Sequence, residues 1–395
     1  MLVKDNIDKN ATANLVSSHF HGTSISLLQH LEYENQGERL NAIDAFVDGS
    51  HQSKKLAPLP AEYAKPSKVH CSSEEFYAPL CTYNFVDLTS YPDLERAKLE
   101  EEKWLNQFVS AAEPAKSWAQ YHIQEKKIQP PTIEDTNSLL PLLRDKVNTL
   151  EMQVHTMRLN KKAVSALNPG QTPVDMSDCP VFAFTKEAQY RLADEFSDYF
   201  AMFGGLHIEQ CMLVTHGQLI AGSGLKEILE SCSLATIGAG AVVDVNQIKR
   251  ARYCVQVALC SLHRKLVEAA KNDGSDLDPW KWLQEKSATN GKCFYWNLVM
   301  NFELEILAFL RSIREGNFTL YVQSLRNLLK WLFIFDHIHY ARWLTIHVFD
   351  LISLPITHPD VYTQMMKGFF SFAKTKRPFS RMSFDQMHEQ NNKVI

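Results

Sequence analysis

The chain has 395 residues, 45% hydrophobic and 22% charged, a balance that excludes a disordered, collagenous or single small-module protein and leaves room for two domains or one domain with a large insertion. Its net charge of −4 is unevenly spread: from Asn246 to Arg381 there are 19 Lys and Arg against 11 Asp and Glu, while the remainder holds 22 against 34. A basic later half suits a polyanionic partner such as DNA, although the solvated faces of a helical array would give the same surplus.

Met1–Asp5 reads as the end of a strand, followed by the turn-rich Asn6–Asn14 and a second strand over His21–Leu28. A chain that starts inside a strand leads us to expect a missing upstream part. Residues 50–90 carry Pro58, Pro60, Pro66 and Pro79 and read as loops. Pro92–Ala112 reads as a solvated helix, Gln129–Asp135 as a linker and Leu139–Leu159 as a helix. After the turn Asn168–Pro173, a short strand over Thr172–Met176 precedes Asp178. Thr185–Phe203 has helical periodicity, and Phe203–Ile208 reads as one more buried strand.

From Asn246 to about Lys367 apolar residues recur at helical spacing, as in Tyr295, Leu298, Phe302, Ile306, Phe309 and Ile313. Pro355 and Pro359 should end the last long helix. The expected organisation is an α/β core with a mixed sheet over 1–208, a large all-α insertion over 209–370, and a return to the core over 371–395 ending in a helix. The fold is therefore expected to be predominantly helical.

Eight single cysteines without a C-x-x-C pair read as reduced core thiols. No uncharged apolar run approaches the roughly 18 to 20 residues of a membrane helix, and Met1–Asp5 does not open a signal peptide. No membrane partner is expected. His337, His339 and His347 invite a metal, but in an aromatic helical segment core or hydrogen-bonded histidine is the plainer assignment. Gly204-Gly205 before His207 lacks phosphate-loop spacing and reads as a tight turn or helix end.

Three acidic clusters fall where strands or helices should begin or end: Asp5–Asp8, Asp178, and Asp385 to Glu389. Carboxylates converging from strand ends can hold a pair of divalent metals for phosphodiester chemistry. Singly, each is as well explained by turns and caps. The strings Asp5–Asn10 with His21-Gly-Thr23, Leu167–Val174 with Asp178-Cys-Pro180, Gly204–Glu209 with Gly222–Leu225, Tyr340-Ala-Arg-Trp343 and Phe379–Asn392 resemble an uncharacterised family of multicopy animal proteins that look transposable-element-derived. The resemblance spans nearly the whole chain.

It implies a nuclear protein with an RNase H-like core, in which Asp5, Asp178 and Glu389 are catalytic and bind Mg²⁺ for DNA strand cleavage or transfer. The order of the clusters is similar to that of an Asp-Asp-Glu transposase, with the helical insertion in the 211-residue gap between Asp178 and Glu389. Lys374, Lys376, Arg377 and Arg381 immediately precede Glu389 and would neutralise DNA phosphates beside the metals. The competing expectation is a catalytically inactive, co-opted or degenerate remnant that binds DNA or protein. Self-association into a homo-oligomer and a cytoplasmic location stay open.

Overall fold

The computed structural model describes residues 1–10, 19–30, 91–109, 114–125, 133–140, 143, 146–234 and 247–392. The expected loops of residues 50–90 lie outside the described residues, as does most of the linker at 129–135. β1 (Leu2–Asn10) pairs antiparallel with β2 (His19–Gln29), and β3 (Thr136–Leu139) pairs antiparallel with β2. On the other side β4 (Val174–Ser177) runs parallel to β1, and β5 (Phe200–Phe203) parallel to β4. The sheet order is β3-β2-β1-β4-β5, with β1 at the centre.

Alternation along β1 assigns its two faces. Leu2 joins Ile25, Leu27 and Met152 in one apolar cluster, whereas Val3 joins the main core. Lys4 is fully buried, and its Nζ lies 2.8 Å from Asp175 Oδ2 on β4, itself fully buried. Burial pushes the Lys4 ammonium below its ordinary range, against the pull of Asp175. Buried pairs of this kind add little net stability but are costly to break.

Helices cover both faces of the sheet. α1 (Pro92–Asn106) and α2 (Trp118–Glu125) precede β3, and α3 (Leu150–Leu167), capped by Thr149 Oγ1, covers the Leu2 face. Between β4 and β5 lie α4 (Cys179–Arg191) and the short α5 (Ala193–Phe196). Then follow α6 (Gly205–Leu219), α7 (Leu225–Ser231), α8 (Ile248–Asn272), α9 (Pro279–Ser287) and α10 (Gly291–Glu315). The series closes with α11 (Phe318–Ile334), α12 (Ile338–Thr357), α13 (Pro359–Met366) and α14 (Phe384–Asn392).

The protein is thus predominantly helical around a small mixed sheet. α10 is long and apolar enough, by length and composition, to cross a membrane. It is the spine of the helical block instead: Phe302 to Ile313 is buried throughout, and the charged residues within that stretch include Glu303, paired with His216 at 2.8 Å, and Arg311, paired with Glu315 at 2.7 Å. The block does not pack only on itself. α12 lies against α4 and β5, and one apolar cluster runs from Val3 through Met202 and Phe302 to Leu344.

Several boundaries differ from the sequence expectation. β1 continues to Asn10, where a turn was expected, because the hairpin register holds to Asn10↔His19. β3 lies where the helix Leu139–Leu159 was expected to start, and the helix itself begins at Leu150, after the Thr149 cap. The buried strand is Phe200–Phe203, inside the run read as helical, and Gly205–Ile208 opens α6. Pro355 sits within α12 and Pro359 starts α13, the first helical turn being where proline is tolerated.

Candidate functional site

The carboxyl end of β4, the start of α6 and the last helix α14 converge. Asp178 follows β4 directly and caps α4, its Oδ1 accepting the Val181 amide at 3.1 Å. Burial raises its carboxyl pKa first of all; Asp385 and Glu389 raise it further, against lowering by His207 and the Val181 amide. Asp178, Asp385, Glu389 and His207 therefore share one electrostatic neighbourhood.

Asp385 is the centre of that neighbourhood. Its Oδ2 accepts the Leu206 amide at 2.8 Å, the His207 amide at 3.2 Å and the His207 ring Nδ1 at 3.0 Å. An anion at a helix N-terminus is favoured by the helix dipole and by amides that have no partner within the helix. Burial alone would raise the Asp385 carboxyl, but His207, Ser383 and the Leu206 amide outweigh it and hold it below its ordinary value. The approach is close enough to require glycine: a Cβ on Gly204 would stand 2.4 Å from Asp385 Oδ2, and one on Gly205 3.0 Å from Ser383 Cβ. Gly204-Gly205 is thus a helix start, as expected, and it receives a side-chain carboxylate.

His388, one turn further along α14, ties the helix to the sheet. Its Nε2 lies 2.7 Å from Ser24 Oγ and its Nδ1 2.7 Å from Ser26 Oγ, so one ring nitrogen donates and the other accepts. Burial lowers its pKa to about 4, against the pull of Asp385. On the far side of α14, Arg252 of α8 pairs with Glu209 of α6 and reaches Gln386 Oε1 at 3.3 Å.

The residues expected from sequence fall as follows. Asp5 lies in the middle of β1, opposite Ser24. The parallel pairing of β1 with β4 is recorded at Leu2↔Asp175 and Val3↔Met176, two residues before Asp5 and Asp178; the Asp5 side chain lies outside the described residues. Glu389 is half-buried on α14. Lys374, Lys376 and Arg377 are exposed on a loop whose ends are joined by the Phe372↔Met382 bridge, and Lys374 Nζ meets Gln390 Oε1 at 2.8 Å. Arg381 is engaged inside the fold, its Nη1 donating to the carbonyls of Gly368 at 3.1 Å and Ser371 at 2.9 Å. Its guanidinium is a strut for the turn rather than an open donor set.

Asp385 stood in the third acidic cluster without a role of its own, and neither His207 nor His388 was assigned one from the sequence. Asp385 precedes Glu389 by four residues, the spacing of neighbours on one helix face, and that was the available signal. Hard carboxylate oxygens suit Mg²⁺; the raised Asp178 carboxyl owes most to burial and only the smaller part to Asp385 and Glu389. The Asp385 oxygens already accept several donors, whereas Asp178 accepts one amide through Oδ1. Among the described residues, no group of three or more His, Cys, Asp or Glu is close enough to hold a metal.

A mixed five-stranded sheet with a buried acidic centre at one strand end, set against a helical body, is the class of protein these features define. A family model described as a domain of unknown function (DUF8702) matches residues 279–394, which span α9 to the end of α14 and so include Asp385, His388 and Glu389 but neither Asp178 nor His207. No curated protein matches the chain. No solved structure matches it either.

Proposed function

We propose that the protein is transposon-derived and nuclear, with an RNase H-like core that acts on DNA phosphodiesters. A central β1 with its antiparallel hairpin on one side and two parallel strands on the other suits such a core. The observation that carries the proposal is the convergence of the carboxyl end of β4, where Asp178 stands, with Asp385 and the last helix: Gly204 touches both the Ser177 carbonyl and the Asp385 carboxylate. Asp5, Asp178 and Glu389 would hold Mg²⁺. Such an ion, when bound, polarises a phosphoryl oxygen and lowers the pKa of water.

The chain's own groups do the rest. Asp385 fixes His207 through Nδ1 and pins α14 to α6, so that Glu389 is presented on a helix held by Asp385 at its start and by His388 at its middle. Lys374, Lys376 and Arg377 neutralise phosphates flanking the reacting one. Nicking of labelled duplex DNA tests the proposal: wild type should cleave with Mg²⁺ or Mn²⁺, and Asp178→Asn should lose cleavage while retaining binding. Salt-sensitive binding without nicking under either metal would instead assign a non-catalytic DNA-binding remnant.

A further inference from the structure

Arg314, in the last turn of α10, is a guanidinium without an ion-pair partner among the described residues. It lies 5.3 Å from the Trp118 ring centroid and 5.5 Å from that of Phe379. Both rings are buried, and Phe379 stacks on His122 at 4.8 Å. The neighbouring Arg311, by contrast, has Glu100, Glu101 and Glu315 around it. Guanidinium carries five N–H donors and accepts nothing, and among the described residues the half-buried Arg314 meets ring faces but no carboxylate.

Its surroundings point toward the acidic centre. Ile313, one residue before it, approaches Gly205, where a Cβ would stand 3.3 Å from Ile313 Cδ1. Arg252, which meets Gln386 of α14, is near enough to repel Arg314, and Glu209, already paired with Arg252, offsets only part of this. Burial chiefly, then Arg252, lowers the Arg314 pKa to about 10, a value at which it stays cationic at neutral pH.

Phe379, which Arg314 covers, is also the anchor of the basic loop. Its φ is +59°, a conformation that a bulky side chain adopts only when its surroundings enforce it. Here the enforcing surroundings are Trp118, at 5.1 Å, and His122. The loop that presents Lys374, Lys376 and Arg377 is thereby fixed to the aromatic group under Arg314.

We propose that Arg314 is a receptor for a backbone phosphate of a nucleic-acid strand, seated on the Trp118–Phe379 pair between the basic loop and the carboxylates of α14. A rigid planar fork suits phosphate better than a mobile ammonium does. The proposal rests on the reading of the site as one that acts on DNA, but its test is separate.

Fluorescence anisotropy of a labelled duplex, measured across a salt series, should show Arg314→Gln binding about tenfold more weakly than wild type, with a salt slope shallower by about one unit, as for loss of one phosphate contact. Arg314→Lys, which keeps the charge over the rings and serves if the Gln variant does not fold, should fall between the two. Lys162→Ala, an exposed lysine on α3 across the sheet, should bind as wild type does. Unchanged affinity in Arg314→Gln and Arg314→Lys, a loss without change of slope, or no DNA binding by wild type would each overturn the proposal. If Arg314→Gln shows the expected loss while wild type never nicks DNA, the phosphate receptor stands and only the cleavage reading fails.

Discussion

Gly204→Ala places a methyl group against the carboxylate that joins α14 to α6. The Gly204 backbone, at φ −64° and ψ 120°, is open to alanine, and at such a position the substitution by itself stabilises by about 0.4–1 kcal/mol through the unfolded chain. The added Cβ, however, would stand 2.4 Å from Asp385 Oδ2, 3.0 Å from its Cγ and 3.1 Å from the Ser177 carbonyl. Relief requires Oδ2 to retreat by about 1 Å, which lengthens its bonds to the Leu206 amide, the His207 amide and the His207 ring together. Hydrogen bonds to charged groups contribute roughly 1.5–3 kcal/mol each. Losing two of the three and crediting the entropy gain leaves a net destabilisation of about 2–5.5 kcal/mol. Urea unfolding measures it. The contact is shared, so Gly204→Ala made in an Asp385→Ala background should be near neutral, a coupling of about 2 kcal/mol or more. A Gly204→Ala protein within about 0.5 kcal/mol of wild type, or costs that simply add, would refute the docking of Asp385 on α6.

Breaking the buried pair on the other face of the sheet with Lys4→Met should cost about 3–5 kcal/mol, since Asp175 is left buried without its cation; adding Asp175→Leu should recover much of it, as urea midpoints will show. His388 and His347 have folded pKa values lowered by burial from 6.5 to about 4 and about 3. Their contribution is therefore complete above about pH 6.5 and is lost as pH falls toward those values, each removing roughly 2 kcal/mol between pH 7.5 and 5. His347, whose two ring nitrogens have no hydrogen-bond partner among the described residues, is the cleaner test. His347→Phe should flatten the fall in stability over that range, and an unchanged pH profile would contradict the assignment.

Periodicity made the helical block legible because apolar residues recur at helical spacing along α10 to α12, and capping residues such as Asn317 mark the joints between them. Although the second half of β1 read as a turn, its first half and most of β2 were legible as short strand-like runs. β5 was not: Phe-Ala-Met-Phe is apolar on every residue because both faces of that strand are buried, and a short continuous apolar run carries no period that separates strand from helix. β3 is four residues long and half polar, and only its pairing with β2 makes it a strand. At the site, acidic residues at strand and helix ends could be located in sequence, but their roles could not. Asp385 and Glu389 share one helix and one charge, and what separates them is that the amides of Leu206 and His207, nearly 180 positions away, are satisfied by Asp385. Arg381 and Arg377 read alike as basic loop residues until the carbonyls of Gly368 and Ser371 distinguish them.

The most direct measurement is titration of Mn²⁺ into wild type, Asp178→Asn and Glu389→Gln, followed by electron paramagnetic resonance of the free ion. If Asp178 and Glu389 serve one cation, wild type should bind Mn²⁺ and each substitution should weaken that binding at least tenfold, about 1.4 kcal/mol, while leaving the urea midpoint unchanged. Binding that is equal in all three proteins, or absent from wild type, would contradict a shared cation site at the junction of β4 and α14.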